Sequence, residues 1–412
     1  MNCEFSSELS RILSFWLRMQ DCEHGGYYGR MRGDGTLVPD APKGGILNAR
    51  ILWSFSAAYR LTRQPEYLRA AIRAEEYIMR YFVDREYGGT YWEVDCLGRP
   101  VDRHKHFYAQ AFMLYGLTEF LLATRGECGM EEMNEEAGRL VVSLYELIER
   151  YGHDPLYGGY IEACTEDWGV MEDMCLSAVD DNQPKSQNTH LHILEAYTNL
   201  IRCLNECPAL QAFFSMASLR HPVEAQRELI GLFCDHILNA DTMHLDLFFT
   251  MDWGRAGHQR ESYGHDIECS WLIHEAVLVL RDEALLQRVQ PIVRAVARAA
   301  EAGLNNDGSM THEANLDTHY REPDRHWWVQ AETVVGYYNI YQHWADEQAL
   351  EHALGCWHYI KTHLLDDCHG EWYWSCDEWG NPNVHDDLAG FWKCPYHNSR
   401  MCIEMIRRTR EQ

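Results

Sequence analysis

The sequence predicts an all-α chain, an (α/α)6 barrel of twelve helices in six hairpins with short extended hairpin loops. Three observations point there. Apolar residues recur at helical spacing along most of the 412 residues. A turn signature, Asp followed four residues later by Gly-Gly and then extended, often aromatic residues, returns at Asp21–Tyr27, Asp84–Thr90 and Asp154–Tyr160. Weaker copies follow near Asp241, near Asp307-Gly308 and at Asp366–Gly370. The copies lie roughly 60–85 residues apart, room for two helices each, and such periodicity marks repeated architecture. No Pro-rich or low-complexity linker interrupts the repeat, so residues 1–412 are expected to form a single domain.

Leu9, Ile12, Leu13 and Trp16 set the first helix. The second starts near Asn48 and runs through Ile51, Leu52, Phe55 and Tyr59, and the third covers about 65–82. Further helical patterns occupy 106–125, 131–151, 187–205, 223–238, 265–281, 283–303, 326–345, 348–364 and 395–409. Pro395 suits the first turn of the last helix, where its missing N–H costs nothing, and places His397 there beside Trp392 and Tyr396. The longest irregular connection, about 163–187, is of a length that often covers a site.

Parity tests the barrel. If even-numbered helices form the inner ring, their N-termini meet at one mouth. Those helices begin with Arg50, Tyr108, Asn188 and His192, His265 and Glu268, Trp328 and Glu332, and His397, all able to touch a sugar. Odd helices begin with ordinary surface residues such as Glu66 and Glu283. Trp327 and Trp328 are expected to split between core and mouth, and the Arg103–His106 run reads as a solvated approach to a helix.

Composition excludes several classes. A net charge of −27 argues against nucleic acid and against an anionic membrane surface as partners. Fourteen Trp and twenty-three Tyr suit stacking on sugars as well as core filling. Fifteen Cys without a CxxC spacing, no signal-type N-terminus and no apolar run of ~20 residues imply a cytoplasmic protein with reduced thiols.

The chemistry suggested at the mouth is proton transfer. His265 and Glu268 are three apart on one helix face, so the carboxylate is expected to orient the imidazole. Buried structural histidines are the plain alternative. His190, His192, His265, Glu268 and His397 include zinc-ligand types, but no clustered spacing exists, and no metal is expected. Asp266, Glu268 and Glu332 could supply a glycosidase pair. No GxSxG or nucleotide-cradling Gly-rich motif is present.

Four strings, Leu47–Trp53, Ser262–Glu268, Asp324–Glu332 and Trp392–Arg400, resemble the N-acylglucosamine 2-epimerase superfamily, and within it the cellobiose 2-epimerases. The resemblance spans nearly the whole chain. It implies an (α/α)6 barrel and epimerisation at C2 of a reducing-end glucose through an enediolate, with no metal or nicotinamide cofactor. It implies His265 and His397 as the acid–base pair and His192 as an assisting residue. Arg50, Tyr108, Asn188, Glu268, Trp328, Glu332 and Trp392 match positions that contact substrate or support the site. Trp372, Trp374 and Trp392 are candidate platforms for a second sugar ring. Mannose or glucose 2-epimerases and aldose–ketose isomerases share the scaffold and stay open, as does a non-catalytic sugar-binding protein. A monomer or weak homodimer is expected.

Overall fold

The computed structural model describes residues 2–177, 180–215 and 220–410. Six helices form an inner ring: α2 (Gly45–Thr62), α4 (Phe107–Thr124), α6 (Gln187–Glu206), α9 (Tyr263–Leu280), α11 (Trp327–Trp344) and α13 (Tyr396–Arg410). Each packs on the next, and α13 closes the ring on α2. Around them lie α1 (Asn2–Arg18), α3 (Pro65–Tyr77), α5 (Glu131–Leu147), α8 (Pro222–Leu232), α10 (Glu283–Ala300) and α12 (Glu347–Tyr359). These pack against α13, α2, α4, α6, α9 and α11 in turn. The chain is an (α/α)6 barrel.

The two rings differ as their sequences require. Every residue of α4 is buried, as expected for a helix with neighbours on all sides. Outer α10 buries only the stripe Val289, Val293, Val296, Ala297 and Ala300. One helix exceeds the twelve read from sequence: α7 (Pro208–Ser215), a short piece between α6 and α8, with Pro208 at its first turn. Eight residues are too few for a periodic pattern to stand out. Outer helices α3, α5, α8 and α12 each end in a five-residue π turn, just before the loop that leads to the mouth. No described helix is long and apolar enough to cross a membrane.

The repeated turns are fastened by a device that the glycines alone do not reveal. Asp84 accepts the backbone N–H groups of Glu86 and Tyr87, closing the turn, and its other oxygen takes Lys105 Nζ at 2.6 Å. Lys105 stands two residues before α4. Asp21 with Lys43 (2.7 Å) and Asp154 with Lys185 (2.8 Å) repeat the arrangement before α2 and α6. The Arg103–His106 run is therefore not a solvated approach: Lys105 and His106 are buried, and only Arg103 and His104 face solvent.

A second fastening lies on the inner helices. The N–H after each turn donates to the fourth residue of an inner helix: Thr90 to Gln110, Tyr160 to His190, Leu245 to Asp266 and Met310 to Gln330. Gly89 (φ +73°) and Gly159 (φ +76°) sit in the left-handed region where a Cβ would strike Trp168 and Trp253. Five of the six inner helices are thus held at a fixed height and rotation.

Burial opposes the charged form of Asp84, but Lys105 and the two turn N–H groups outweigh it and hold the carboxyl below its ordinary 3.8. Burial lowers Lys105, so the ammonium carries a desolvation cost that its partner does not fully offset. Such a pair specifies geometry more than it stabilises, and its loss is costly when only one partner goes. Lys105→Met is expected to destabilise the fold by about 3–5 kcal/mol, and adding Asp84→Asn to recover much of that, read from urea midpoints. Because the Asp84 value is depressed, its contribution is present above pH 3.8 and lost as pH falls through the folded value.

Candidate active site

The two fastenings put equivalent residues of the inner helices on the barrel axis. The second residue of each is Ile46, Tyr108, Asn188, Gly264, Trp328 or His397. Four residues on, one turn deeper on the same face, come Arg50, Phe112, His192, Glu268, Glu332 and Met401. Nine of these twelve positions are the polar or aromatic residues a sugar site needs. Gly264 makes the exception useful: a Cβ there would lie 2.8 Å from the Trp328 ring, so its absence admits the indole, and His265 takes the next position.

Trp328 stands between two histidines, its ring centroid 4.9 Å from that of His265 and 5.6 Å from that of His397. Each imidazole is tied through Nδ1. His265 Nδ1 meets Ser262 Oγ at 2.7 Å, and His397 Nδ1 meets Glu332 Oε1 at 2.7 Å. His192 Nδ1 meets Glu195 Oε2 at 3.0 Å, and its ring packs edge-on to Tyr108. No Nε2 of these three has a protein hydrogen-bond partner among the described residues. The expected pairing of Glu268 with His265 does not form, because Glu268 lies a turn deeper and Ser262, at the helix start, reaches the ring first.

Beneath the histidines lies a buried charge cluster. Arg400 Nη2 donates to Glu268 Oε1 and Glu332 Oε1, each at 2.6 Å, while Nη1 donates to Glu195 and to the Tyr396 hydroxyl. Tyr396 itself donates to Glu195, and Trp271 Nε1 donates to the other Glu332 oxygen at 3.0 Å. Arg50 donates to the Tyr108 hydroxyl at 2.8 Å and lies over the Phe112 ring.

Burial governs protonation here. It pushes the His265 imidazolium down to about 3, with His192 adding to the effect. Burial, then Arg50 and Arg400, put His397 well below its usual range. Burial lowers His192 too, although Glu195 opposes it. The resting histidines are neutral. Among the carboxyls, burial and Glu332 push Glu268 up to about 8, and burial raises Glu332. Glu195 goes the other way, to about 2, because Arg400, His192 and Tyr396 outweigh its burial. One proton is therefore shared in the Glu268–Glu332 pair at neutral pH.

Asn188 Oδ1 is buried without a hydrogen-bond partner among the described residues, beside a cavity of about 120 Å³ that also touches His265 and His312. Leu176, Asp180 and Gln183 of the long loop form one wall of it. Asp181 pins that loop to His258 Nδ1 (2.8 Å) and Arg260 (3.1 Å); residues 178–179 lie outside the described set. Trp392 is half-buried, near Tyr108 and Trp92. Trp372 is no platform: it is sealed in the core and donates to Glu8. Trp374 packs on Trp327, which takes the core side as expected. His190 is structural, with both ring nitrogens bonded to backbone.

Two alternatives weaken on this geometry. Asp266 is buried and holds His244 and the Leu245 N–H, which removes it from any glycosidase pair. Glu268 and Glu332 share one guanidinium nitrogen instead of flanking a bond. Glu268, Glu332 and His397 do bring metal-ligand atoms within 4.8 Å of one another. Arg400 already occupies those carboxylate oxygens, and a divalent ion would have to displace it.

Sequence reasoning gave no role to Arg400, Glu195 or Ser262, and read Tyr396 only as a wall beside His397. Glu195 and Arg400 each lie three residues beyond a histidine of interest, a spacing that was legible.

Comparison with known proteins places the chain. Residues 26–400 match the N-acylglucosamine 2-epimerase (GlcNAc 2-epimerase) family. The chain is 48% identical to a cellobiose 2-epimerase of Bacteroides fragilis, over 98% of both sequences. It is similar to the structure of a cellobiose 2-epimerase from Bacillus thermoamylovorans, with a TM-score of 0.88, 38% identity and 99% of both chains covered. A D-mannose isomerase structure shares the fold at a TM-score of 0.81 and 19% identity, covering 99% of this chain and 98% of that one. The chain belongs to the N-acylglucosamine 2-epimerase family and is an enzyme of the carbohydrate epimerase–isomerase class.

Proposed function

We propose that the protein inverts C2 of the reducing-end glucose of cellobiose and related β-1,4-disaccharides such as lactose. The observation that carries this reading is the pair of neutral histidines, His265 and His397, on either side of Trp328 with both Nε2 atoms free of protein partners. The relatives named for this activity support the substrate class. The whole chain is read as one catalytic domain, working as a cytoplasmic monomer or weak homodimer without metal or nicotinamide. Mannose or glucose epimerisation, or aldose–ketose isomerisation, is the second reading, favoured by the shared fold of the D-mannose isomerase.

The C2 proton becomes acidic only after ring opening, when the C1 carbonyl can accept charge. His265, with Nδ1–H donated to Ser262, presents an Nε2 lone pair and removes the proton. Arg50 and the positive N-terminal ends of the inner helices stabilise the enediolate. Rotation about C2–C3 presents the opposite face. His397 then gives its Nε2 proton to C2 and receives the shared carboxyl proton at Nδ1 from Glu332. This delivers a proton without requiring a resting imidazolium. In the reverse direction the roles exchange. His192, held by Glu195, assists at the ring oxygen or hydroxyls, and Tyr108, Asn188 and Trp392 position the sugar.

His265→Ala or His397→Ala is expected to lower kcat at least ~10²-fold in folded protein, and near-normal turnover in either would sink the assignment. The pH profile is equally specific. The shared carboxyl proton is present below about 8, so kcat should fall as pH rises through that value. The acid limb should lie below the ordinary histidine range, because burial has lowered His265 to about 3. A rate that climbs steadily through pH 9 would remove the carboxyl pair from the mechanism. The decisive experiment is NMR of cellobiose incubated with EDTA-treated protein in D₂O. Formation of 4-O-glucosyl-mannose carrying deuterium at C2 is expected. Intact cellobiose, with exchange on mannose or glucose instead, would select the second reading.

A further inference from the structure

Arg400 bonds to no histidine and to none of Tyr108, Asn188 and Trp392, yet two of the three histidines are held by carboxyls that it bonds. We propose that Arg400 is a positioning residue of the reaction: it bridges Glu195, which holds His192, to Glu332, which holds His397, and so sets the two imidazoles relative to one another across the barrel axis. The proposal rests on the reading given under Proposed function.

The bonds are divided so as to leave each histidine a carboxylate oxygen. Glu195 gives Oε1 to Arg400 and Oε2 to His192. Glu332 gives Oε1 to both Arg400 and His397, and Oε2 to Trp271. The two arms of the guanidinium reach different helices, α6 through Nη1 and α9 with α11 through Nη2. The group cannot swing, because it lies over the Trp271 ring at 4.8 Å and the Tyr396 ring at 4.3 Å. A cluster built only to neutralise charge would match charges, but here one cation meets three carboxyls. What the planar fork supplies is geometry, which an ammonium cannot reproduce.

Arg400 is also a partition. Its other side lines a cavity of about 650 Å³ at the opposite end of the barrel, shared with Trp271, Glu275, Asn339 and Glu404. A truncated Arg400 would therefore leave a hole open to solvent from the end away from the sugar.

The test compares purified wild-type protein, Arg400→Lys and Arg400→Ala on the sugar turned over by the wild type. Arg400→Lys, which keeps the charge and loses the fork, should lower kcat by about tenfold or more with KM within about threefold. Arg400→Ala should lose about 10²-fold, and millimolar methylguanidinium should restore about tenfold of it where methylammonium does not. Independently of activity, the imidazole ¹⁵N resonances of His192 and His397 should both move in Arg400→Lys, while that of His190 stays in place. Wild-type kcat in folded Arg400→Lys, a loss confined to KM, equal response to the two additives, or unmoved resonances would each overturn the proposal. Should the wild type exchange no sugar at all, the assigned reaction fails, and the resonances still decide the positioning role.

Discussion

The centre of this protein depends on one buried guanidinium. Arg400, Glu195, Glu268 and Glu332 are all nearly inaccessible to water, where an unpaired charge is prohibitive and a paired one is at best near break-even. The cluster persists because Arg400, Glu195 and Glu332 are each bonded more than once, and Glu268 is held on the same guanidinium nitrogen as Glu332. Its consequence reaches the site above it. The carboxyls are forced to keep a proton among themselves, and the imidazoles nearby are forced to stay neutral. Both follow from low dielectric and an uneven count of charges.

That cluster could not form unless six helices arrived with matched heights. The Asp–Lys pairs before α2, α4 and α6, and the turn N–H caught by the fourth residue of α4, α6, α9 and α11, supply this register for five of them, and Glu371 ties the sixth through Asn398 and Lys393. Where the pattern degenerates, other groups take the same post. His244 bonds Asp266 in the fourth repeat, Arg325 reaches Asp307 through Ser309 in the fifth, and Lys393 bonds Glu371 in the sixth. The axial positions then vary freely in chemistry while remaining fixed in space. Arg50, Phe112, His192, Glu268 and Glu332 are structurally one position with five different uses.

Much of this was legible in the residue string. The six turns, the ring parity and the helix starts that meet at the mouth follow from periodicity and from Gly-Gly punctuation, which are local signals. The less legible part concerns partners. The i, i+3 rule points to His265 and Glu268, which do not pair, while His192 and Glu195 carry the same spacing and do; Arg400, three beyond His397, reaches that histidine only through Glu332. Spacing shows that two side chains share a face; it does not show which of several acceptors lies nearer, and Ser262 won by standing at the helix start. Lys105 was misread for a related reason. A basic run looks solvated unless its acidic partner, 21 residues earlier in a different loop, is known to be beside it.

The same register bears on why the proposed chemistry is proton transfer and not bond hydrolysis. A hydrolase needs two carboxyls facing across a glycosidic bond with water or nucleophile access between them. Here Glu268 and Glu332 stand one turn deeper than Trp328 and His397, drawn onto Arg400, and could flank a glycosidic bond only by breaking that cluster. What remains at the level of Trp328 are imidazoles. An imidazole kept neutral by burial is a base at any physiological pH, and one backed by a protonated carboxyl is also an acid. His265 is backed by a hydroxyl and His397 by Glu332. In the proposed reaction that difference assigns two residues of the same type opposite roles on opposite faces of one carbon.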